Sequence, residues 1–262
     1  MSHFIGIDVG TGSARACVIN EQGTILAVAS ENISVWQPQT GYYVRHGLVY
    51  RFDCWLTEQE QSTTDIWRAI CKSVKQCLQE NPVDPASIKG IGFDATCSLT
   101  VFSLDTDEPI AVTGPDFNNS DGNDRNVVLW LDHRPVRETE KINATEHNLL
   151  RYVGGTMSIE MEIPKVLWLK NNMPKDLFAR CKFYDLADAL THMATGAESR
   201  SLCSTVCKQG YVPLGVDGSV KGWQEDFLKE IGLEDLCEDN FKRMGGVNGV
   251  VYHFHYLGIR SS

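Results

Sequence analysis

The stretch FIGIDVGTGSARACVIN, residues 4–20, constrains the fold more than any other part of this chain. An apolar run, Phe4-Ile5-Gly6-Ile7, ends on Asp8. A turn of small residues follows, Gly10-Thr11-Gly12-Ser13, and residues 15–19 read as a second strand from their Cys, Val and Ile content. Strand, turn and strand make a β-hairpin. A dinucleotide-binding turn needs a helix after its glycines and a small residue where Arg15 stands, so that reading fails. No G-x-x-x-x-G-K-[ST] run exists in the chain, so the P-loop reading fails too. The hairpin does suit a phosphate. Glycines let backbone N–H groups approach oxyanions closely, Thr11 and Ser13 offer hydroxyl donors, and Asp8 is placed to hold a hydrated Mg²⁺ through its waters. The residues alone leave a second reading open, a glycine turn with no ligand.

The 262 residues suffice for one or two domains with a sizeable core. A net charge of −10 argues against a general nucleic-acid or anionic-membrane surface, but not against phosphate, which needs only local donors. No apolar run approaches about 18 residues, and the N-terminus lacks a signal-peptide layout. The expectation is a cytoplasmic chain without membrane or nucleic-acid partners. The nine cysteines are odd in number and scattered, with no C-x-x-C pair, so neither a disulfide frame nor a structural zinc site is expected.

Strand-like segments lie near 4–9, 14–20 and 24–35. Residues 63–79 read as an amphipathic helix, with Ile66, Trp67, Ile70, Val74, Cys77 and Leu78 on one face and Thr63 or Thr64 as the cap. A buried strand is expected over 88–95, another over 100–104, and an apolar run over 127–131 after a polar loop at 113–126. Helices are expected over 135–152, 164–172 and 184–195, and near 223–231. Three meandering strands, a helix, a strand and further α/β units make an α/β layered fold without internal repeats.

Further polar clusters follow apolar runs. Asp94-Ala95-Thr96-Cys97-Ser98 stands just past the carboxyl end of a buried strand, where α/β folds place ligands; a turn bonding its own backbone is the alternative. WLDHR at 130–134 repeats the arrangement; by itself it reads as an Asp132–Arg134 ion pair beside a structural His133. PKVLWLKNN at 164–172 starts a helix with Leu167 and Trp168 toward the core. In SLCSTVCK at 201–208 small residues leave room for a ligand within reach of Lys208, although lysine is more often a solvated surface residue.

Taken in order, IGIDVGTGSARACV, GFDATCSL at 92–99, WLDHR, PKVLWLKNN and SLCSTVCK resemble the FGGY carbohydrate kinases, over roughly residues 3–245. The second and third segments look most like the pentulose-kinase branch that phosphorylates D-ribulose. The resemblance implies a ribonuclease-H-like domain of the actin, hexokinase and Hsp70 type, with a mixed sheet flanked by helices. It implies ATP and Mg²⁺ as cofactors and a small-molecule sugar as substrate. By resemblance Asp8, Gly10, Thr11, Gly12, Ser13 and Arg15 form the first phosphate segment and the Mg²⁺ environment. Asp94, Ala95, Thr96 and Lys208 would line the sugar pocket, and Asp132 and Arg134 would shape its floor. Such residues orient and neutralise rather than react.

Two departures from the family pattern bear on function. Family members continue into a second domain that carries the general-base aspartate and the adenosine pocket; here similarity stops near Gly245, and residues 246–262 match nothing expected of the family. The expectation is an amino-terminal domain, 1–245, with a tail made by alternative splicing or truncation, inactive alone and binding nucleotide weakly. A non-catalytic binding or regulatory isoform is the alternative, with the exposed cleft face open to self-association or a protein partner. The second departure is an insert at about 44–59, bounded by a doubled Glu-Gln and rich in apolar side chains.

Overall fold

In β1 (His3–Val9), Ile5, Ile7 and Val9 are buried while Gly6 and Asp8 are exposed, the period of two that a one-sided strand requires. The computed structural model describes residues 1–37, 42–45, 48–51, 58–118, 124–213, 222–247 and 249–251. β1 continues into β2 (Ser13–Asn20) and β3 (Ile25–Asn32) as an antiparallel meander. β4 (Tyr42–Arg45) and β5 (Leu48–Arg51) pair as a separate hairpin that begins just before the stretch read as an insert and runs into it; residues 46–47 and 52–57 of that stretch lie outside the described residues. After the short β6 (Glu60–Gln61) comes α1 (Thr63–Glu80), then β7 (Ile88–Ala95), parallel to β1. This gives the sheet order β3-β2-β1-β7. α1 covers one face: Ile66, Ala69, Ile70 and Cys77 are buried with Ile5, Ile7, Ala14, Ala16 and Ala29.

A second sheet, in the order β10-β8-β9-β6, joins β8 (Leu99–Ser103), β9 (Val127–Val128) and, beyond three helices, β10 (Cys181–Asp185). Those helices are α2 (Val136–Asn143), α3 (Glu162–Asn172) and α4 (Lys175–Ala179). They are followed by α5 (Leu186–Thr195), β11 (Arg200–Ser201), α6 (Leu202–Lys208), α7 (Glu225–Ile231) and β12 (Val250–Val251). Leu99, Val101 and Phe183 of this sheet share the larger apolar core with Ile163 and Leu167 of α3 and Phe227 of α7. The cysteines among the described residues are free thiols. No helix among the described residues is long and apolar enough to cross a membrane.

Three sequence expectations change. The helix expected over 135–152 is broken: α2 ends at Asn143, the Thr145 hydroxyl donates back to the Ile142 carbonyl at 2.7 Å, and Glu146 takes φ 51°. A 3₁₀ turn, Asn148–Val153, then starts from His147, whose ring nitrogen accepts from Leu149 N at 3.1 Å. The helix expected from 184 starts at Leu186, because the preceding five residues are a fully buried strand and Asp185 caps the helix. The cap of α1 is Ser62, not Thr63 or Thr64: its hydroxyl accepts from Asp65 N at 3.3 Å, while the Thr63 N–H and hydroxyl both donate to Asn126 Oδ1 at 3.0 Å. Ser62→Ala is therefore expected to lower stability by about 1 kcal/mol in urea unfolding, with an unchanged dependence on denaturant. An effect of that size from Thr64→Ala instead would move the cap back.

Candidate functional site

The parallel register of β1 and β7 sets Asp8 opposite Asp94, at the carboxyl ends of adjacent strands. Both are exposed, on the face that α1 leaves uncovered. Adjacent strands lie about 5 Å apart, so the two carboxylates repel unless a positive charge stands near them. Arg15 supplies one: it is opposite Asp8 in the antiparallel register of β2, and its guanidinium donates to Asp8 Oδ2 at 2.7 Å. Both side chains of this pair remain about half exposed, at 54% and 53%, so the bridge itself adds little stability.

The glycine turn closes on itself through Gly10 N to Ser13 O at 2.9 Å, and Ile33 N donates to Gly12 O at 3.0 Å. Gln61 Nε2 donates to Thr11 O at 2.7 Å, and the Trp130 indole donates to Thr11 Oγ1 at 3.2 Å. The Thr11 hydroxyl keeps its own proton for another acceptor. A Cβ at Gly12 would meet nothing within 4 Å, one at Gly10 nothing nearer than 3.7 Å, and neither residue has left-handed backbone. Packing and conformation therefore do not demand these glycines, and open space lies beside the turn.

The 94–98 turn is joined to the same corner. Thr96 N donates to Val9 O at 3.0 Å, and Ser98 Oγ accepts from Trp130 N at 3.1 Å. Part of this turn does bond its own backbone: Asp94 Oδ1 accepts from Ala95 N at 3.1 Å. Lys208 is half-buried at the end of α6, and its charge is felt at Cys97 and Asp185. Burial raises the Cys97 thiol, and Asp185 adds to the shift while Lys208 opposes it.

A profile of the FGGY family of carbohydrate kinases, N-terminal domain, matches residues 3–206. The chain belongs to this family. It is 51% identical over 243 residues to a D-ribulokinase of Saccharomyces cerevisiae, covering 93% of this chain and 31% of that protein. It is 41% identical over 244 residues to the human FGGY carbohydrate kinase domain-containing protein, covering 93% of this chain and 39% of that protein. The chain thus spans about a third of the length of these relatives. A ligand-bound xylulose kinase from Lactobacillus acidophilus shares the fold, with a TM-score of 0.65 at 18% identity over 89% of this chain and 40% of that one. The mixed sheet with flanking helices is the actin- and hexokinase-like fold of these FGGY kinases.

In this FGGY domain Asp132 and Arg134 lie beneath the site rather than on its surface. Arg134 Nε donates to both Asp132 oxygens at 2.9 and 3.0 Å, and Nη2 donates to Asp132 at 2.7 Å and to Glu60 at 3.0 Å. Asp132 Oδ2 also accepts from Gln59 N at 2.7 Å, and the guanidinium sits over the Trp168 ring. Burial works against the Arg134 charge, but Asp132, Glu60 and Glu58 outweigh it and hold the guanidinium protonated beyond its ordinary range. Sequence reasoning passed over Lys165 as an ordinary helix residue. It is fully buried and donates to the Leu129 and Trp130 carbonyls at 2.6 and 2.9 Å, fixing the segment that carries Trp130. Burial pushes its pKa down to about 8.

Elsewhere Asp107, His192 and Glu198 bring potential metal ligands within 4.8 Å of one another. The Lys182 ammonium already bridges the two carboxylates, so the cluster reads as an ion-pair knot on the second sheet.

Proposed function

We propose that residues 1–245 are the amino-terminal domain of a cytoplasmic ATP-dependent pentulose kinase, and that D-ribulose is its sugar. The observation that carries this reading is the corner where Asp8 and Asp94 stand side by side, next to a glycine turn with free space beside it. The 51% identity to a D-ribulokinase supports D-ribulose over other pentuloses.

The residues present fit the expected cofactors. Mg²⁺ and the ATP phosphates would supply the transferable group and the charge that neutralises it. The Thr11 and Gly12 N–H groups and the Thr11 and Ser13 hydroxyls would donate to phosphate oxygens. Asp8 would hold the hydrated metal through its waters, and Arg15 would offset negative charge. Asp94, Ala95, Thr96 and Lys208 hold the sugar, with Lys208 donating to a hydroxyl. Asp132 and Arg134 keep the pocket floor rigid from below. No residue here corresponds to the family's general base, which has to come within hydrogen-bond reach of the attacking hydroxyl. The 262 residues alone are therefore expected to bind sugar without turning it over.

Calorimetry with D-ribulose, D-xylulose and Mg-ATP tests the reading, together with a coupled phosphorylation assay on this chain and on one extended by the relatives' remaining length. The expected result is D-ribulose binding that Lys208→Ala weakens about tenfold or more, as for loss of a charged hydrogen bond, with weak Mg-ATP binding and turnover only in the extended chain. Normal turnover by the 262 residues, lost in Asp8→Ala, would overturn the assignment of the base. Tight Mg-ATP binding without sugar binding would favour a regulatory nucleotide-binding role.

A further inference from the structure

Beneath the 94–98 turn, α3, α5 and α6 converge on buried acids that the proposed chemistry does not use. Glu162 lies in the first turn of α3 and is fully buried. Asp185 ends β10 beside Leu99, is buried, and caps α5 by accepting from Ala187 N at 3.2 Å. Gln209, the residue after Lys208, is also buried, and its Nε2 donates to Glu162 Oε2 at 2.7 Å. The Glu162 and Asp185 side chains are within hydrogen-bonding reach of each other, yet Glu162 Oε1 receives no donor from any described residue. Two carboxyl groups form a hydrogen bond only when one of them carries the proton, and that proton would be the missing donor.

We infer that Glu162 and Asp185 share one proton, and that this acid pair positions Lys208 through Gln209; its bearing on sugar binding rests on the reading of Lys208 given above. Gln209 is the rigid link. It adjoins Lys208 in sequence, its N–H donates to Thr205 O at 3.1 Å, and its side chain is tied to α3. With the proton in place the ends of α3, β10 and α6 are joined. Without it two anions face each other in a site closed to water, and the junction opens.

Charged or titratable groups reach the pair from four segments around it. α3 contributes Lys165, α5 contributes Asp188, α6 contributes Lys208, and the ligand turn contributes Cys97. Burial pushes both carboxyls of the pair upward, and for Asp185 the neighbouring Glu162 adds to the rise.

The test uses the full chain labelled with ¹³C-lysine, with the Lys208 signal assigned through Lys208→Arg, and follows that signal as pH rises from mildly acid to mildly alkaline. In the wild type it should move as the pair titrates. In Glu162→Gln most of that movement should be lost, leaving only what Asp188 contributes, because the new amide donates to Asp185 while its oxygen still accepts from Gln209. Asp185→Asn, equally isosteric, should behave alike and serves if the first variant does not fold. A wild-type signal that ignores the pair, or one that titrates identically in the variants, overturns the inference. Glu162→Ala should also weaken D-ribulose binding about tenfold, as for other groups that orient a contacting side chain. If D-ribulose does not bind, or Lys208→Ala leaves its affinity unchanged, the sugar reading falls while the lysine titration still decides the acid pair.

Discussion

Asp132→Ala should destabilise the chain by about 3–5 kcal/mol, because it leaves a buried guanidinium without its main counter-charge. Asp132 accepts from Arg134 through both oxygens, and Arg134 is buried against Glu60, the Val112 carbonyl and the Trp168 ring. The charge cannot be relieved by deprotonation, since the surrounding carboxylates hold Arg134 protonated more firmly than usual. Replacing both partners by apolar residues of similar volume, Asp132→Leu with Arg134→Met, should cost far less than either single change, because no charge is then stranded. Urea unfolding of the two single variants and the double variant measures the difference. A loss below about 1 kcal/mol in Asp132→Ala would show that the pair does not carry this junction. If that variant were instead stable but unable to bind sugar, Asp132 would belong to the pocket surface.

Local pattern was enough for the hairpin and for α1. Alternation of Ile5, Ile7 and Val9 with Gly6 and Asp8 is a strand signal within seven residues. The Ile66, Ile70 and Cys77 stripe is a helix signal within eighteen. Two carboxylates of the candidate site were legible from their position at the ends of apolar runs: Asp8 near the end of β1 and Asp94 near the end of β7. Their juxtaposition was not legible, because it depends on the parallel pairing of strands separated by the whole of α1. The same holds for the Trp130 indole on Thr11 and for Gln209 on Glu162. Tertiary partners also decided the points where local reading failed. Thr63 has the chemistry of a cap, but Asn126 claims both its donors and Ser62 takes the role. Tyr184 and Asp185, the last two residues of β10, were read as the start of a helix because all five strand residues are buried, and a strand buried on both faces shows no alternation.

Folding stability should fall as pH rises from about 4 to about 7, the reverse of what salt-bridged carboxylates produce. The main source is Asp188. Burial lifts its carboxyl from an ordinary 3.8 to about 7, Asp185 adds to the rise, and Ser201 N and Arg200 oppose it. Within that window the folded chain keeps a proton that the unfolded chain has lost. The folded state then binds more protons, and stability declines with pH until the folded carboxyl also ionises. The full difference is on the order of 4 kcal/mol for this one buried group. The Glu162–Asp185 pair is raised as well and acts in the same direction. Lys165 acts oppositely at higher pH: its pKa is lowered from 10.5 to about 8, so stability recovers as pH climbs between those values. On the acid side Asp107 and Glu198 are held below their ordinary values, chiefly against the pull of burial by Lys182, and their contribution disappears as pH falls through the folded pKa. Stability should therefore peak in mildly acid solution. Asp188→Asn, which keeps an oxygen to accept from Ser201 N at 2.9 Å, should flatten most of the decline and exceed the wild type in stability near pH 8. Denaturant unfolding of both proteins across this pH range reads the slopes directly; parallel profiles would show that Asp188 ionises normally in the folded chain.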